Sequence, residues 1–302
     1  AEAIDSVLKQ TQKSLEVIVI DDCSTDGTEE YVKSIPDERV HYYRNEKNRG
    51  QHYSRMFALK LRNAHGKYIT FLDHDDYYTD YDFFTKAVNI FEEHDKPEAP
   101  LSFVCANASI MDTSADKIIP HNIGRPGRVK GIDFILDRQY KKPLSVFPTV
   151  FKADIIKRAK LDDMLIFDST TYMLTALEGD AWFMPDVIGI WRECRDNATY
   201  GSRNNPDYDA RYFSELRENI KRWVLVRDRL YGRADTKAVR DRYISEVLNL
   251  TSYYRLSRPM LKDRIETIKI ILQESGFMPR LWLNIVPLML KLQLRKMIGR
   301  KV

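Results

Sequence analysis

The chain has 302 residues, 43% hydrophobic and 30% charged, the composition of an ordinary globular protein with room for about two domains. Its three cysteines, Cys23, Cys105 and Cys194, are scattered and odd in number, which argues against a disulfide framework or a Cys-x-x-Cys metal site and for the reducing cytoplasm. No signal-peptide pattern and no apolar run of about 18 residues occurs, so no membrane span is expected. The net charge of +4 is uneven: residues 275–302 carry six Lys or Arg and no acid, which leaves −2 on the rest. A weakly acidic body with a basic tail argues against a general nucleic-acid binder, which needs a basic stripe on its folded surface.

In chain order, residues 1–10 read as a helix with Ile4, Val7 and Leu8 on one face. Leu15 to Ile20 is a β-branched apolar run, hence a strand, and it stops at Asp21-Asp22. Asp26-x-x-Glu29 has the spacing of a capping box and opens a helix. Val40 to Tyr43 predicts a short strand and Gln51 to Asn63 a helix. Tyr68-Ile69-Thr70-Phe71-Leu72 is the next strand, and it ends in Asp73-His74-Asp75-Asp76. Strands alternating with helices, with acids at strand ends, describe an open α/β sheet that takes its ligand at its carboxyl edge.

The second acidic end is the more telling. Asp73, Asp75 and Asp76 repel one another, and ionising all three is costly unless a cation sits among them. Oxygen-only ligands favour Mg²⁺ or Mn²⁺, often shared with substrate phosphates. A solvated acidic turn or a helix cap would produce the same pattern, and on this stretch alone both readings stand.

The segments SVLKQTQKSLEVIVIDDCSTDGTEEYV, NRGQHYSRMFAL and GKYITFLDHDDYY, in that order over residues 3–80, resemble the family 2 glycosyltransferases of the GT-A fold. The resemblance implies a Rossmann-like, mostly parallel sheet flanked by helices. It also implies roles. Asp21 and Asp22 fall to the donor nucleotide, Asp22 by accepting from a nucleobase N–H, although Asp21 also suits a turn cap. Arg55 meets the base or the diphosphate. Asp73 and Asp75 become the D-x-D pair, Asp73 near the ribose and Asp75 on the metal, with Asp76 in support of the same Mn²⁺ or Mg²⁺. Arg55 as a solvated helix residue and Asp76 as a helix cap are the plainer alternatives.

Further on, residues 83–94 form a helix and Leu101 to Cys105 a strand, and a helix lies near 131–138 after the Gly/Pro loop 124–127. PTVFKADIIKRAKLDD resembles the strand-then-helix floor of the family's acceptor half. FDSTTYMLTALEGDAWFMPDVIGIWR aligns with the family's second motif through Gly179, Pro185 and Trp191-Arg192, which puts Asp168 at the place of the catalytic base. An inverting transferase needs one carboxylate to take the acceptor hydroxyl's proton. The position also suits the N-cap of a helix at 169–178, and the two roles are compatible. Two positions depart from the family: Phe167 replaces its Glu, and Cys194 stands where a His often helps the metal or diphosphate.

Beyond residue 205 the apolar spacing is helical, as in Tyr212, Leu216, Ile220 and Trp223. Residues 281–290 are apolar and precede the basic Lys291–Lys301, which suits a helix lying on an anionic membrane face or a docked terminal helix with a solvated basic side. The expected division is a nucleotide-sugar half at 1–105, an acceptor half at 106–204 and a helical extension at 205–302.

The function that follows is a metal-dependent inverting glycosyltransferase. It moves a sugar from a nucleotide-diphosphate donor, a UDP-sugar foremost, to a glycan or lipid-linked acceptor in surface polysaccharide synthesis, at the inner face of the membrane. The alternatives are a GT-A-like nucleotidyltransferase, which usually shows a Gly-rich basic loop absent here, and a catalytically dead binding module of the same fold. A receiver domain lacks a second acidic strand end, and neither G-x-G-x-x-G nor a Walker A sequence occurs. Family members begin with a central strand ahead of the first helix, whereas this sequence begins within that helix. As given, it is therefore expected to be weakly stable and a weak nucleotide binder. Urea unfolding beside an N-terminally extended version checks this: the extension should raise the midpoint, and equal midpoints refute the expectation.

Overall fold

The computed structural model describes residues 1–61, 65–113, 115–121, 126–136, 145–159, 161 and 168–193. All belong to a compact unit that runs from Ala1 to Tyr208. Phe167, Cys194, the helical stripes beyond residue 205 and the basic tail lie outside the described residues.

The elements follow the expected alternation: α1 (Glu2–Leu8), β1 (Val17–Asp21), α2 (Thr28–Lys33), β2 (Val40–Arg44), α3 (Gln51–Lys60), β3 (Tyr68–Ile69), β4 (Tyr77–Tyr78) and α4 (Phe83–His94). The capping box did not form as expected. Gly27, at φ 80°, is the N-cap of α2, and Asp26 Oδ1 instead accepts from the N–H and hydroxyl of Thr28. The second half of the unit holds β5 (Leu101–Asp112), β6 (Lys117–His121), β7 (Gly127–Val129), α5 (Gly131–Leu136), β8 (Thr149–Lys152), α6 (Ala153–Arg158), α7 (Asp168–Ala176) and β9 (Asp180–Glu193).

Strands β1 and β2 pair in parallel as a two-stranded sheet, with Asp21 directly opposite Arg44. The other seven strands form one mixed sheet whose main path runs β3-β8-β5-β9-β4. Mixed α/β architecture is as the sequence implies, but strand direction differs from it. Only β1/β2 and β5/β9 run parallel among the described residues, and the other five pairings are antiparallel. Short strands such as β3 and β4 carry no directional signal, because side-chain alternation is the same for either ladder.

Strand β5 is the centre. Its first nine residues, LSFVCANAS, are buried without alternation, as expected for a strand covered on both faces. One face packs Leu101 and Val104 against Phe83, Ala87 and Phe91 of α4. Phe103, from the other face, meets Phe134 of α5, Phe151 of β8 and Tyr172 of α7 at ring-centroid distances of 5.3–5.7 Å. The register of β5 against β9 shifts on either side of Asn107, whose amide donates to the carbonyl of Pro185 at 2.9 Å. That irregularity is what admits a proline into an interior strand. Gly179, between α7 and β9, lies so close to strand β5 that a Cβ would come within 2.6 Å of the Pro100 carbonyl. This packing delivers the start of α7 and the end of β9 to the edge where the β3–β4 turn also emerges.

Candidate active site

The acidic end of β1 divides into two tasks. The Asp21 side chain is closed from solvent and accepts from the Ser24 N–H at 2.8 Å, the Ser24 and Tyr42 hydroxyls at 2.5 Å each, and Arg44 Nη1 at 2.8 Å. Burial by itself would raise its pKa, but these bonds and the Arg44 charge outweigh burial and lower it. Asp21 therefore anchors the end of β1 within the fold, its carboxylate engaged by Ser24, Tyr42 and Arg44. Asp22 is half-buried. Its carboxylate accepts from the N–H groups of Arg49 and Gly50 at 2.7 and 2.5 Å and from the Asn45 amide at 2.9 Å. These bonds fix the entry to α3, and so the position of Arg55 one turn further on.

Arg55 is where the distant parts meet. Its side chain is only 8% exposed. Nη2 donates to both Asp73 oxygens, at 2.7 and 2.8 Å, and Nη1 donates to Asp168 Oδ1 at 2.6 Å. The guanidinium also lies 6.0 Å from the ring of Phe71. Burial by itself would lower the Arg55 pKa, but the two carboxylates overcome burial and raise it. Burial likewise pushes the Asp168 carboxyl above the ordinary carboxylate range; Arg55 opposes the rise and the Asp73 charge adds to it. The Val146 N–H also donates to Asp168. Asp168 is the first residue of α7 and 31% exposed, so a carboxylate of raised basicity opens to solvent beside the D-x-D turn. Sequence reasoning named all three residues; it had no signal for their contact across 113 positions of chain.

The turn between β3 and β4 sends its carboxylates in three directions. Asp73 is committed to Arg55. Asp76 is buried, with Oδ1 accepting from the Arg192 N–H at 2.9 Å and Oδ2 lacking a hydrogen-bond partner. Burial, with added repulsion from Asp73 and Asp75, pushes Asp76 up to about 8 although the Arg192 N–H opposes it. Asp75 is half-buried, and no described residue donates to its carboxylate in a hydrogen bond. Among the described residues no three His, Cys, Asp or Glu side chains gather as a ready metal cage. Asp73, Asp75 and Asp76, expected as a joint ligand set, thus do not gather around one point here, as mutual repulsion favours. What remains still fits a hard cation: one uncommitted carboxylate, with the rest of the shell supplied by substrate phosphates and water, is a common way to hold Mg²⁺ or Mn²⁺. The guanidinium of Arg192, which donates to the Asp75 carbonyl at 2.8 Å, is the feature sequence reasoning passed over; its place in the second motif was the available signal.

Two outcomes follow. Replacing Arg55 with Ala strands Asp73 and Asp168 beside each other and should cost about 3 kcal/mol in urea unfolding, whereas a solvated helix residue would cost almost nothing. Asp76, with a folded pKa of about 8 against about 3.9 unfolded, binds its proton more tightly in the folded state. Its contribution is thus complete below about pH 4 and lost as pH rises toward 8, by at most about 1.4 kcal/mol per unit. Unfolding in EDTA at pH 5, 6 and 7 should show that decline, and Asp76→Asn should flatten it; an unchanged slope refutes the assignment.

Residues 1–117 match the sequence model of the family described as Glycosyl transferase family 2. The chain is 43% identical over 75 residues to the UDP-Glc:alpha-D-GlcNAc-diphosphoundecaprenol beta-1,3-glucosyltransferase WfaP of Escherichia coli, a match covering 25% of this chain and 29% of that protein. It is 30% identical over 160 residues to WfgD of Escherichia coli, a glucosyltransferase of the same description, covering 50% of this chain and 60% of that one. The matches thus span less than two thirds of these relatives. Among solved structures, GalNAc-T7 with UDP, GalNAc and Mn²⁺ superposes with a TM-score of 0.50 at 14% identity, over 98% of this chain and 55% of that one, a likeness of fold. The region that carries the acidic strand ends and Arg55 thus matches the family 2 glycosyltransferase model, and the fold is similar to that of a GT-A glycosyltransferase.

Proposed function

We propose that the protein is an inverting, metal-dependent glycosyltransferase. It transfers a sugar from a nucleotide-diphosphate donor to a glycan or lipid-linked acceptor in surface polysaccharide synthesis. The observation that carries this reading is the convergence of Arg55, Asp73 and Asp168 on one sheet edge, with Asp75 uncommitted beside them. Residues 1–105 supply the donor half and residues 106–204 the acceptor half. A UDP-sugar is the preferred donor, because relatives such as WfaP are described as using UDP-Glc. Their diphosphoundecaprenol-linked acceptors, with the basic apolar stretch at 281–302, support work at the inner face of the membrane. No helix among the described residues is long and apolar enough to cross one.

The chain's residues divide the chemistry between them. By the roles the family gives them, Asp22 would serve the nucleobase and Asp73 the ribose, each held in place by its own donors. Asp75 holds Mn²⁺ or Mg²⁺ together with the donor phosphates. The ion supplies Lewis-acid neutralisation of the leaving diphosphate. Asp168 accepts the acceptor hydroxyl's proton as that oxygen forms its bond to the anomeric carbon and the nucleoside diphosphate departs. Its raised pKa, caused by burial, suits this task, because a stronger base abstracts the proton more readily. Arg55 keeps Asp168 aimed and ionised by giving it a fixed positive partner.

Calorimetric titration of UDP, GDP, CDP and dTDP, with Mn²⁺ and with EDTA, checks the donor site. Metal-dependent binding of one nucleotide is expected, and Asp75→Ala should abolish it. Asp168→Asn should then leave nucleotide binding intact while lowering sugar transfer by a factor on the order of 10²–10⁴. If no nucleotide binds, the acids are structural and the transferase reading fails.

A further inference from the structure

We infer that Arg192, the penultimate residue of β9, is the positioning residue that sets the carboxylate of Asp75 for the metal. The inference rests on the donor-site reading above and deepens it. Arg192 makes four contacts, three of them with the short segment Asp75–Tyr77. Its backbone N–H donates to Asp76 Oδ1 at 2.9 Å, and its Nη1 donates to the Asp75 carbonyl at 2.8 Å. Its guanidinium carbon lies 4.5 Å from the centre of the Tyr77 ring. The fourth contact leads away: Nη2 donates to Glu2 Oε2 at 2.5 Å, at the start of α1.

The consequence is geometric. Asp75 is gripped by its main chain, not by its side chain, so its carboxylate is aimed without being consumed. A turn carrying three acids would otherwise relax to separate its charges. Arg192 opposes that relaxation twice, by placing a positive charge beside the turn and by taking up the carbonyl whose direction sets where the Asp75 side chain leaves the backbone. Pairing of Tyr77 with Ile190 and of Tyr78 with Gly189 brings the end of β9 beside the turn, which makes the reach of Arg192 short. A substitution at 192 removes the guanidinium contacts but leaves the N–H that serves Asp76. The two roles of the residue therefore separate experimentally.

The test uses the full chain and whichever of UDP, GDP, CDP and dTDP binds the parent protein most tightly, titrated in Mn²⁺ and in EDTA. Arg192→Ala should weaken binding in Mn²⁺ about tenfold, the scale of one charge-assisted hydrogen bond, and leave binding in EDTA unchanged. Arg192→Lys, which keeps the charge and one donor, should recover most of the loss. Glu2→Gln, which removes only the outer ion pair, should stay within about twofold of the parent. Equal affinity of Arg192→Ala and parent in Mn²⁺ overturns the inference, and so does an equal loss in Mn²⁺ and EDTA, which marks general loosening. Should Arg192→Ala fail to fold, Arg192→Gln, which removes the charge but keeps much of the side-chain volume, decides: weakening confined to Mn²⁺ supports positioning, and any other pattern overturns it. A parent that binds none of the four, or an Asp75→Ala protein that binds as the parent does, brings down the donor-site reading itself and the inference with it.

Discussion

A buried guanidinium must be paired, and in this protein its pairing assembles the candidate site. Arg55 donates through one nitrogen to both oxygens of Asp73 and through another to Asp168, so α3, the β3–β4 turn and the start of α7 are held to one point. A lysine could not do this, because a single ammonium lacks the planar fork that reaches two carboxylates in fixed directions. The arrangement also explains how two acids coexist at close quarters. Each sees the same positive partner, and the cost of burying the cation is offset only while both remain.

The supports of this cluster are themselves long-range. Asp22 holds the N–H groups that lead into α3, and thereby sets where Arg55 starts from. On the other side, the Tyr172 hydroxyl donates to the Ser145 carbonyl at 2.9 Å and the Tyr78 hydroxyl to that of Phe147 at 3.2 Å. These two bonds brace the segment whose Val146 N–H reaches Asp168. Residues near the chemistry are thus fixed by hydrogen bonds from the core outward, an arrangement that keeps turns in place where regular ladders cannot.

The three carboxylates of the β3–β4 turn show how a fold resolves a cluster of like charges. One is neutralised by a cation of the protein, one is withdrawn from water beside an N–H, and one accepts no hydrogen bond from a described residue. Repulsion among them makes some such division necessary. Which acid takes which role is decided by what lies opposite: Arg55 for Asp73, the Arg192 N–H for Asp76, and nothing from a described side chain for Asp75.

Much of this was legible in the residues. β-Branched runs ending in acids marked β1 and β3, apolar periodicity marked α1, and motif order marked the family resemblance and singled out Arg55, Asp73 and Asp168, which the fold brings into contact. Such features are local, so chain order alone specifies them. Three matters were not legible. The mostly parallel sheet became a mixed one, because alternation of side chains is the same in either direction. Asp21 and Asp22 are adjacent and chemically identical, yet Asp21 is sealed against Arg44 by the β1–β2 register while Asp22 opens toward α3. The contact of Arg55 with Asp168 and the grip of Arg192 on Asp75 join residues more than a hundred positions apart. By itself the sequence determined which acids lie at the strand ends and in which order the motifs run. Tertiary structure alone decided which carboxylates are neutralised, buried or left uncommitted, because that depends on donors brought from distant chain, and no local pattern records them.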